Sequence, residues 1–386
     1  MAVKKKTSAA AVPAVLSPRA LGRATLERQL LLRRGAMSAK DAVAHLVGLQ
    51  AQNTKPPYYQ LLARLEGFDP AELAALMESR EVVRIVTLRS TIHTHTADDA
   101  LSLRPLVQAA RDRELRMFRK QLVGVDLDRL RDIATAYLEE EPRTPKEIRE
   151  TLLAKWPDAD PQALSLAARC VLPLVQVTPR GVWGKSGQVA LTTAEHWLGR
   201  PSGPVPAPAP DATVLRYLGA FGPASVKDMQ MWAGLTRLRE VFERLRPQLV
   251  TFRDENGVEL FDLPDAPRPD EDTPAPPRLL PEFDNVLLGH ADRTRVIPPR
   301  FKGRNGVGNQ TYGSVLVDGF LAALWRLDAG RRGAPTIVTV QGLRRLGAAE
   351  RDAVTEEAVA MLRVMTPATT DGSGYDIRFA EFLDFG

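Results

Sequence analysis

Gln50 and Gln52 stand one residue apart in the run Leu46-Val-Gly-Leu-Gln-Ala-Gln52, at the expected end of a helix and just before Asn53 and Pro56-Pro57. Two amides so placed could point into a groove from an irregular backbone, where preorganised dipoles can position a water and steady a developing positive centre. On the residues alone the same pair reads as an ordinary polar helix terminus. His93 and His95 offer different chemistry, because in a strand both imidazoles face one side, as a metal site would require. No carboxylate or histidine cluster stands at ligand spacing, and only His45, His196 and His290 remain, so no metal is expected. There is no Walker loop, Gly-x-Ser-x-Gly elbow or dinucleotide fingerprint either, and no cofactor is expected. Cys170, the single cysteine, reads as a small buried hydrophobe in a reducing cytoplasm.

The cations point to a polyanion. Of 52 basic residues 41 are arginine, whose planar fork suits phosphates and base edges, although a GC-rich genome would favour arginine too. Net charge is +5. The segment from Arg293 to Asn309 places five cations (Arg293, Arg295, Arg300, Lys302, Arg304) among glycines with one terminal Asn pair at Asn305 and Asn309. Such a loop lets backbone amides approach phosphate while the cations neutralise it; the plainer reading is a disordered basic loop.

The elements that would position these residues recur. Three helices followed by a hairpin occur three times along the 386 residues, too long a chain for one ordinary core. The clearest copy spans 211–264: a helix through Val214 and Leu218, a second capped by Ser225 with Asp228 at the capping-box position, a third capped by Thr236, then a hairpin turning at Asp254 to Gly257. Arg237, Arg239, Arg244 and Arg246 lie on or beside that third helix, as DNA recognition or merely a solvated basic face would require. A second copy spans 126–200, with Pro145 at a helix start and Asp160 as a cap. A looser first copy occupies 16–125 and carries the glutamine pair, ending in one long helix from Asp98 to about Leu122. Residues 1–15 read as a disordered basic arm, Gly199 to Pro210 and Pro264 to Pro277 as stiff linkers, and 278–386 as a β-rich domain like a small barrel, with strands including Asn285 to Leu288. The fold class expected is α+β, three tandem winged helices and a β-rich C-terminal domain. No apolar run of about 18 residues is present, so no membrane association is expected.

Three segments together resemble the winged-helix family of bacterial DNA glycosylases typified by AlkZ. They are Leu46 to Gln52, Leu88-Arg-Ser-Thr-Ile-His93 followed by Thr96-Ala-Asp-Asp, and Leu280-Pro-Glu-Phe-Asp-Asn-Val-Leu-Leu-Gly-His-Ala-Asp-Arg293. The resemblance implies three winged helices in a C-shape around duplex DNA, Gln50 and Gln52 as the catalytic pair, and a DNA-probing hairpin placed at Arg300 to Asn309. DNA contacts are then expected at Arg300, Lys302, Arg304, Asn305, Arg89, His93 and Arg293, on a monomer in the cytoplasm. Gln52, rather than the aspartate of broader repair members, places the chain with the branch serving self-resistance to DNA-alkylating natural products. The chemistry is consistent. Cleaving a normal glycosidic bond needs an acid and a carboxylate, whereas a purine alkylated at N7 or N3 already carries positive charge and departs neutral. Two rivals remain at this point: a winged-helix regulator without enzymatic activity, and a protein that sequesters a drug in its C-terminal domain.

Overall fold

The structure is a computed structural model that describes residues 13–201, 210–304, 306–307, 310–328, 335–366 and 374–380. Caps place the first elements. β1 (Val15–Leu16) leads into α1 (Pro18–Arg28), where the Ser17 side chain accepts from the Ala20 amide and Pro18 stands at the first turn. Ser38 caps α2 (Ala39–His45) in the same way. The chain then turns into β2 (Leu49–Gln50), α3 (Pro56–Leu62) and α4 (Pro70–Glu78), the last capped by Asp69. β3 (Val82–Val86) and β4 (Ile92–Thr96) form an antiparallel hairpin.

The first two copies of the repeat share one sheet. β5 (Leu174–Gln176) and β6 (Leu191–Thr193) join it in the order β2-β4-β3-β5-β6, with Ile85 opposite Val175. The single long helix expected after Asp98 is instead two, Ala97–Leu106 and Gln108–Met117, because Pro105 removes a backbone donor near the break. Helices Leu127–Glu140, Pro145–Leu153 and Pro161–Val171 enclose a separate apolar cluster around Leu138, Ile148 and Leu164, where Cys170 is buried.

Residues 211–262 form helices Asp211–Phe221, Val226–Ala233 and Arg239–Leu245, followed by the antiparallel pair β7 (Val250–Asp254) and β8 (Glu259–Asp262). Ser225 and Asp228 make the expected capping box. Thr236 does not cap the third helix: Arg237 takes a positive φ of 62°, and the Gln230 side chain accepts from the Leu238 amide instead. β1 adds to β7 in parallel, so Val15, assigned to a disordered arm, lies in a sheet; the first twelve residues of that arm lie outside the described residues. The 264–277 segment is a strap rather than a free linker, since Arg23 donates to the Thr273 carbonyl and Arg28 to that of Pro267.

The C-terminal strands do not close into a barrel among the described residues. β9 (Arg278–Leu280), then the two-stranded hairpin β10 (Gly306–Val307) and β11 (Gln310–Thr311), precede β12 (Gly313–Val317), β13 (Phe320–Asp328), β14 (Thr336–Gly342) and β15 (Tyr375–Ala380). The open sheet runs β15-β14-β13-β12-β9. Helix Ala348–Met365 joins its core through Val354, Ala358 and Leu362, burying apolar surface that a barrel would have buried by closure. Asn285–Leu288 is a short helix, not a strand, because Asp284 accepts from the Val286 amide and caps it. Tyr58 and Tyr59 of α3 belong to the same apolar core as Trp325 of β13, so the two ends of the chain are packed together. No helix among the described residues is long and apolar enough to cross a membrane.

Candidate active site

Gln50 sits on a strand and Gln52 in the bend just past it, not on a helix end. Gly48 adopts φ +91°, the left-handed region glycine enters at no steric cost, and turns the chain from α2 into β2. A Cβ there would stand 2.2 Å from the His95 ring, so glycine is also required for close approach. β2 pairs antiparallel with β4, placing Gln50 opposite His93 and Leu49 opposite Thr94, and the Ala51 amide donates to the Ile92 carbonyl at 2.8 Å.

Both side-chain amides are held through their oxygens. Gln50 is 5% exposed, and its Oε1 accepts from Arg89 Nη2 at 2.7 Å. Gln52 is exposed, and its Oε1 accepts from the Ile92 amide at 3.2 Å. Below them Gln60 Nε2 donates to the Gln50 carbonyl at 3.1 Å.

Arg89 is the organising cation. It has φ 54°, next to Ser90 at φ 58°, and this uncommon backbone directs its side chain across the end of the hairpin. Its Nη1 donates to the Trp232 carbonyl at 2.5 Å, tying the glutamine strand to the 211–262 unit. Burial, and after it the nearby Arg293 charge, brings the Arg89 pKa down to about 10. The guanidinium therefore remains protonated at neutral pH.

His93 was expected to contact DNA. The structure corrects this: it is 1% exposed, with Nδ1 against the Thr91 carbonyl at 3.0 Å and Nε2 3.4 Å from Arg89. Since the carbonyl can only accept, Nδ1 carries the proton and Nε2 offers a lone pair. Burial, followed by the Arg89 charge, holds the His93 pKa well below the usual imidazole value. His95 stacks on it at 5.5 Å and lies 2.8 Å from Thr87 Oγ1. Among the described residues no group of three His, Cys, Asp or Glu side chains gathers where a metal could be held.

The other expected DNA contacts divide. Arg300, Lys302 and Arg304 are exposed beside the β10–β11 hairpin, while Asn305 lies outside the described residues. Arg293 is half-buried, with Nε donating to the His290 carbonyl, and Arg295 is buried against Thr25 and the Pro223 carbonyl. The cations of the third repeat's last helix are engaged within the protein: Arg244 with Asp211 at 2.7 Å, and Arg246 with Glu243 and Glu259.

Two neighbours of the pair were not singled out from sequence. Asn53 donates to Glu282, a carboxylate within the Leu280 to Arg293 motif. Arg104, Arg111 and Arg169 line a small cavity of about 140 Å³ that Gln52 also faces. Glu282 stood inside a motif already quoted from the sequence, among other polar residues; the arginines come from three separate helices with no local mark.

The family model for AlkZ-like DNA glycosylases matches residues 43–364, which takes in the glutamine strand, Arg89, Arg293 and the C-terminal sheet. The chain belongs to the AlkZ-like DNA glycosylase family. As a member of this family it is a DNA glycosylase, with DNA as its substrate. Among solved structures, Streptomyces sahachiroi DNA glycosylase AlkZ is similar with a TM-score of 0.74 and 20% sequence identity, covering 95% of this chain and 100% of that one. At that identity the likeness shows a shared AlkZ-like fold. A comparison with curated protein sequences finds no match.

Proposed function

We propose that this glycosylase is monofunctional and hydrolyses the N-glycosidic bond of cationic N7-alkylguanine, and of N3-alkyladenine, with Gln50 and Gln52 orienting the attacking water. The observation that carries this reading is the character of the pair's surroundings. Both amide oxygens already accept from donors fixed by the fold, Arg89 and the Ile92 amide, and the imidazole behind them is held neutral by burial. Such a site orients and polarises: its imidazole presents a lone pair at Nε2 and keeps its proton at Nδ1, against the Thr91 carbonyl. A purine that leaves without needing a proton suits it, and an unmodified purine does not.

The exposed position of Gln52 in the bend after β2 supports extension to bulky adducts and interstrand crosslinks, because a crosslinked base cannot be swung into a closed pocket. Three winged-helix units embracing the duplex as a monomer, with Arg300, Lys302 and Arg304 along one strand, complete the proposal. Repair and self-resistance to an alkylating natural product are its biological setting. The test is release of 7-methylguanine from methylated duplex DNA: the purified chain should release it, and the Gln50→Ala, Gln52→Ala double variant should not. Release unchanged in the double variant removes the pair from the chemistry.

A further inference from the structure

Between α3 and the C-terminal sheet lies an open cleft of about 610 Å³, the size of a small-ligand site. Its walls are Pro56 and Tyr59 from α3, Pro281 and Glu282 after β9, Tyr312 before β12, and Trp325 of β13. The cleft begins where the glutamine strand ends. Pro56 follows Gln52 by four residues, and Glu282 at the cleft accepts a hydrogen bond from Asn53, next to Gln52.

Tyr59 is the unusual member. It is 94% buried, being 6% exposed, and its ring packs against Trp183 at 6.5 Å and Trp325 at 5.8 Å. Buried tyrosine hydroxyls ordinarily find a partner. Tyr58 follows that rule, donating to the Gly181 carbonyl at 2.7 Å, and the Trp325 indole donates to the Leu280 carbonyl at 2.8 Å. Among the described residues the Tyr59 hydroxyl has no hydrogen-bond partner, and it is not one of the fully enclosed polar atoms of the core. It therefore faces the cleft with its hydrogen-bonding capacity unused.

We propose that this cleft is a second binding site, which takes a planar aromatic ring carrying a hydrogen-bond acceptor, stacked beside Trp325 and held by the Tyr59 hydroxyl. Burial raises the Tyr59 pKa to about 12, so the phenol keeps its proton and donates. Charged groups of both signs rim the cleft, Glu282 and Asp328 against Lys55 and Arg326; of these Glu282 is the one tied to Asn53 beside Gln52, and there its carboxylate favours a ring that is electron-poor or cationic, as aromatic faces also do. Two sources carry this chemistry: the alkylated purine itself, displaced from the helix, or an aryl group borne by the alkyl substituent. That either belongs to a DNA lesion rests on the glycosylase function proposed above; binding of the ring does not.

Isothermal titration of the full chain tests the site without requiring base release. The probes are 7-methylguanosine for the damaged purine, guanosine as its uncharged counterpart, and benzamide for an appended aryl group. Saturable heat is expected from 7-methylguanosine or benzamide, with affinity falling roughly three- to tenfold in Tyr59→Phe, the loss of one hydrogen bond. Preference for 7-methylguanosine over guanosine, reduced in Glu282→Gln, assigns the site to the purine; preference for benzamide assigns it to the adduct's aryl group. The site is overturned if no probe binds, or if binding is equal in wild type, Tyr59→Phe and Glu282→Gln with unchanged melting temperatures. Failure of the glycosylase reading would appear separately, as absent base release with probe binding intact.

Discussion

Arg89 donates to the Gln50 side-chain oxygen at 2.7 Å while its other terminal nitrogen donates to the Trp232 carbonyl at 2.5 Å, so one guanidinium fixes a candidate catalytic amide and anchors it to a different part of the chain. An amide has a carbonyl end and an amino end that differ only in hydrogen bonding. The donor at Arg89 decides which end points inward. Gln52 is fixed by the same logic, with a backbone amide as donor.

Arg89→Met should therefore act on kcat rather than on KM. The variant keeps an unbranched apolar stem but removes the guanidinium and leaves Gln50 free to rotate, and loss of orientation at a reacting centre costs on the order of a hundredfold in rate. Single-turnover release of 7-methylguanine, with DNA binding measured in parallel, checks this. Arg89→Lys, which retains a donor but lacks the two-pronged fork, should recover part of the rate. Equal loss of binding and rate would mean that Arg89 serves DNA contact instead.

The sequence carried much of this site, though not its geometry. The glutamines, Arg89 and Arg293 were legible through the motifs around them. The Asp160 cap and the Ser225–Asp228 capping box were readable from cap chemistry, which is local. What was missed depends on distant partners. The Gly48 turn made Gln50 part of a strand, with Gln52 just beyond it, because His95 lies under the turn, 47 residues further on. His93 looked like a surface residue in an alternating strand, yet β2 covers one edge and β3 the other. Asn285 to Leu288 had strand-like residues, but Asp284, held by Arg64 from α3's end, caps a helix there.

That Arg64–Asp284 pair is itself a test of how the two ends of the chain are joined. Both side chains are fully buried, and both terminal nitrogens of Arg64 meet Asp284, at 2.8 and 2.7 Å. Removing one partner leaves a charge with no water to solvate it, which costs about 3–5 kcal/mol. Asp284→Ala should lower the unfolding free energy by that amount, read as a lower urea midpoint, and the drop should exceed that of Glu27→Ala, whose partner Arg33 is largely exposed. Similar midpoints for the two variants would contradict the coupling.

Stability should fall on acidification before ordinary carboxylates titrate. Burial takes the His95 pKa from 6.5 to about 4, with Asp99 opposing and Arg216 adding slightly, and it lowers that of His93 as well. The folded chain thus binds fewer protons than the unfolded one below pH 6.5, so stability is full above that value and is lost as pH drops toward about 4. Each histidine contributes a slope of up to about 1.4 kcal/mol per pH unit in that window. Urea denaturation at pH 7.5 and pH 5.5 should show a lower midpoint at pH 5.5, and His95→Asn should reduce the difference. A midpoint independent of pH across this range would show that the two imidazoles are not buried as neutral groups.

The three exposed cations beside the β10–β11 hairpin should govern affinity without touching chemistry. Arg300 and Lys302 present positive charge to solvent and Arg304 is exposed beside them, whereas Arg239, Arg244 and Arg246 on or beside the helix that sequence singled out are paired with carboxylates. Each phosphate contact releases condensed counterions and adds about 0.9 to the slope of log K against log salt. Replacing the three with glutamine should thus weaken binding uniformly across sequences and reduce that slope by up to about 3. The rate of base release at saturating DNA should stay near that of the unaltered chain, because the proposal gives these residues phosphate contacts and leaves the water to Gln50 and Gln52. Replacing Arg239, Arg244 and Arg246 instead should change the slope much less, since cations already paired have fewer counterions to displace; the opposite ranking would return DNA contact to that helix.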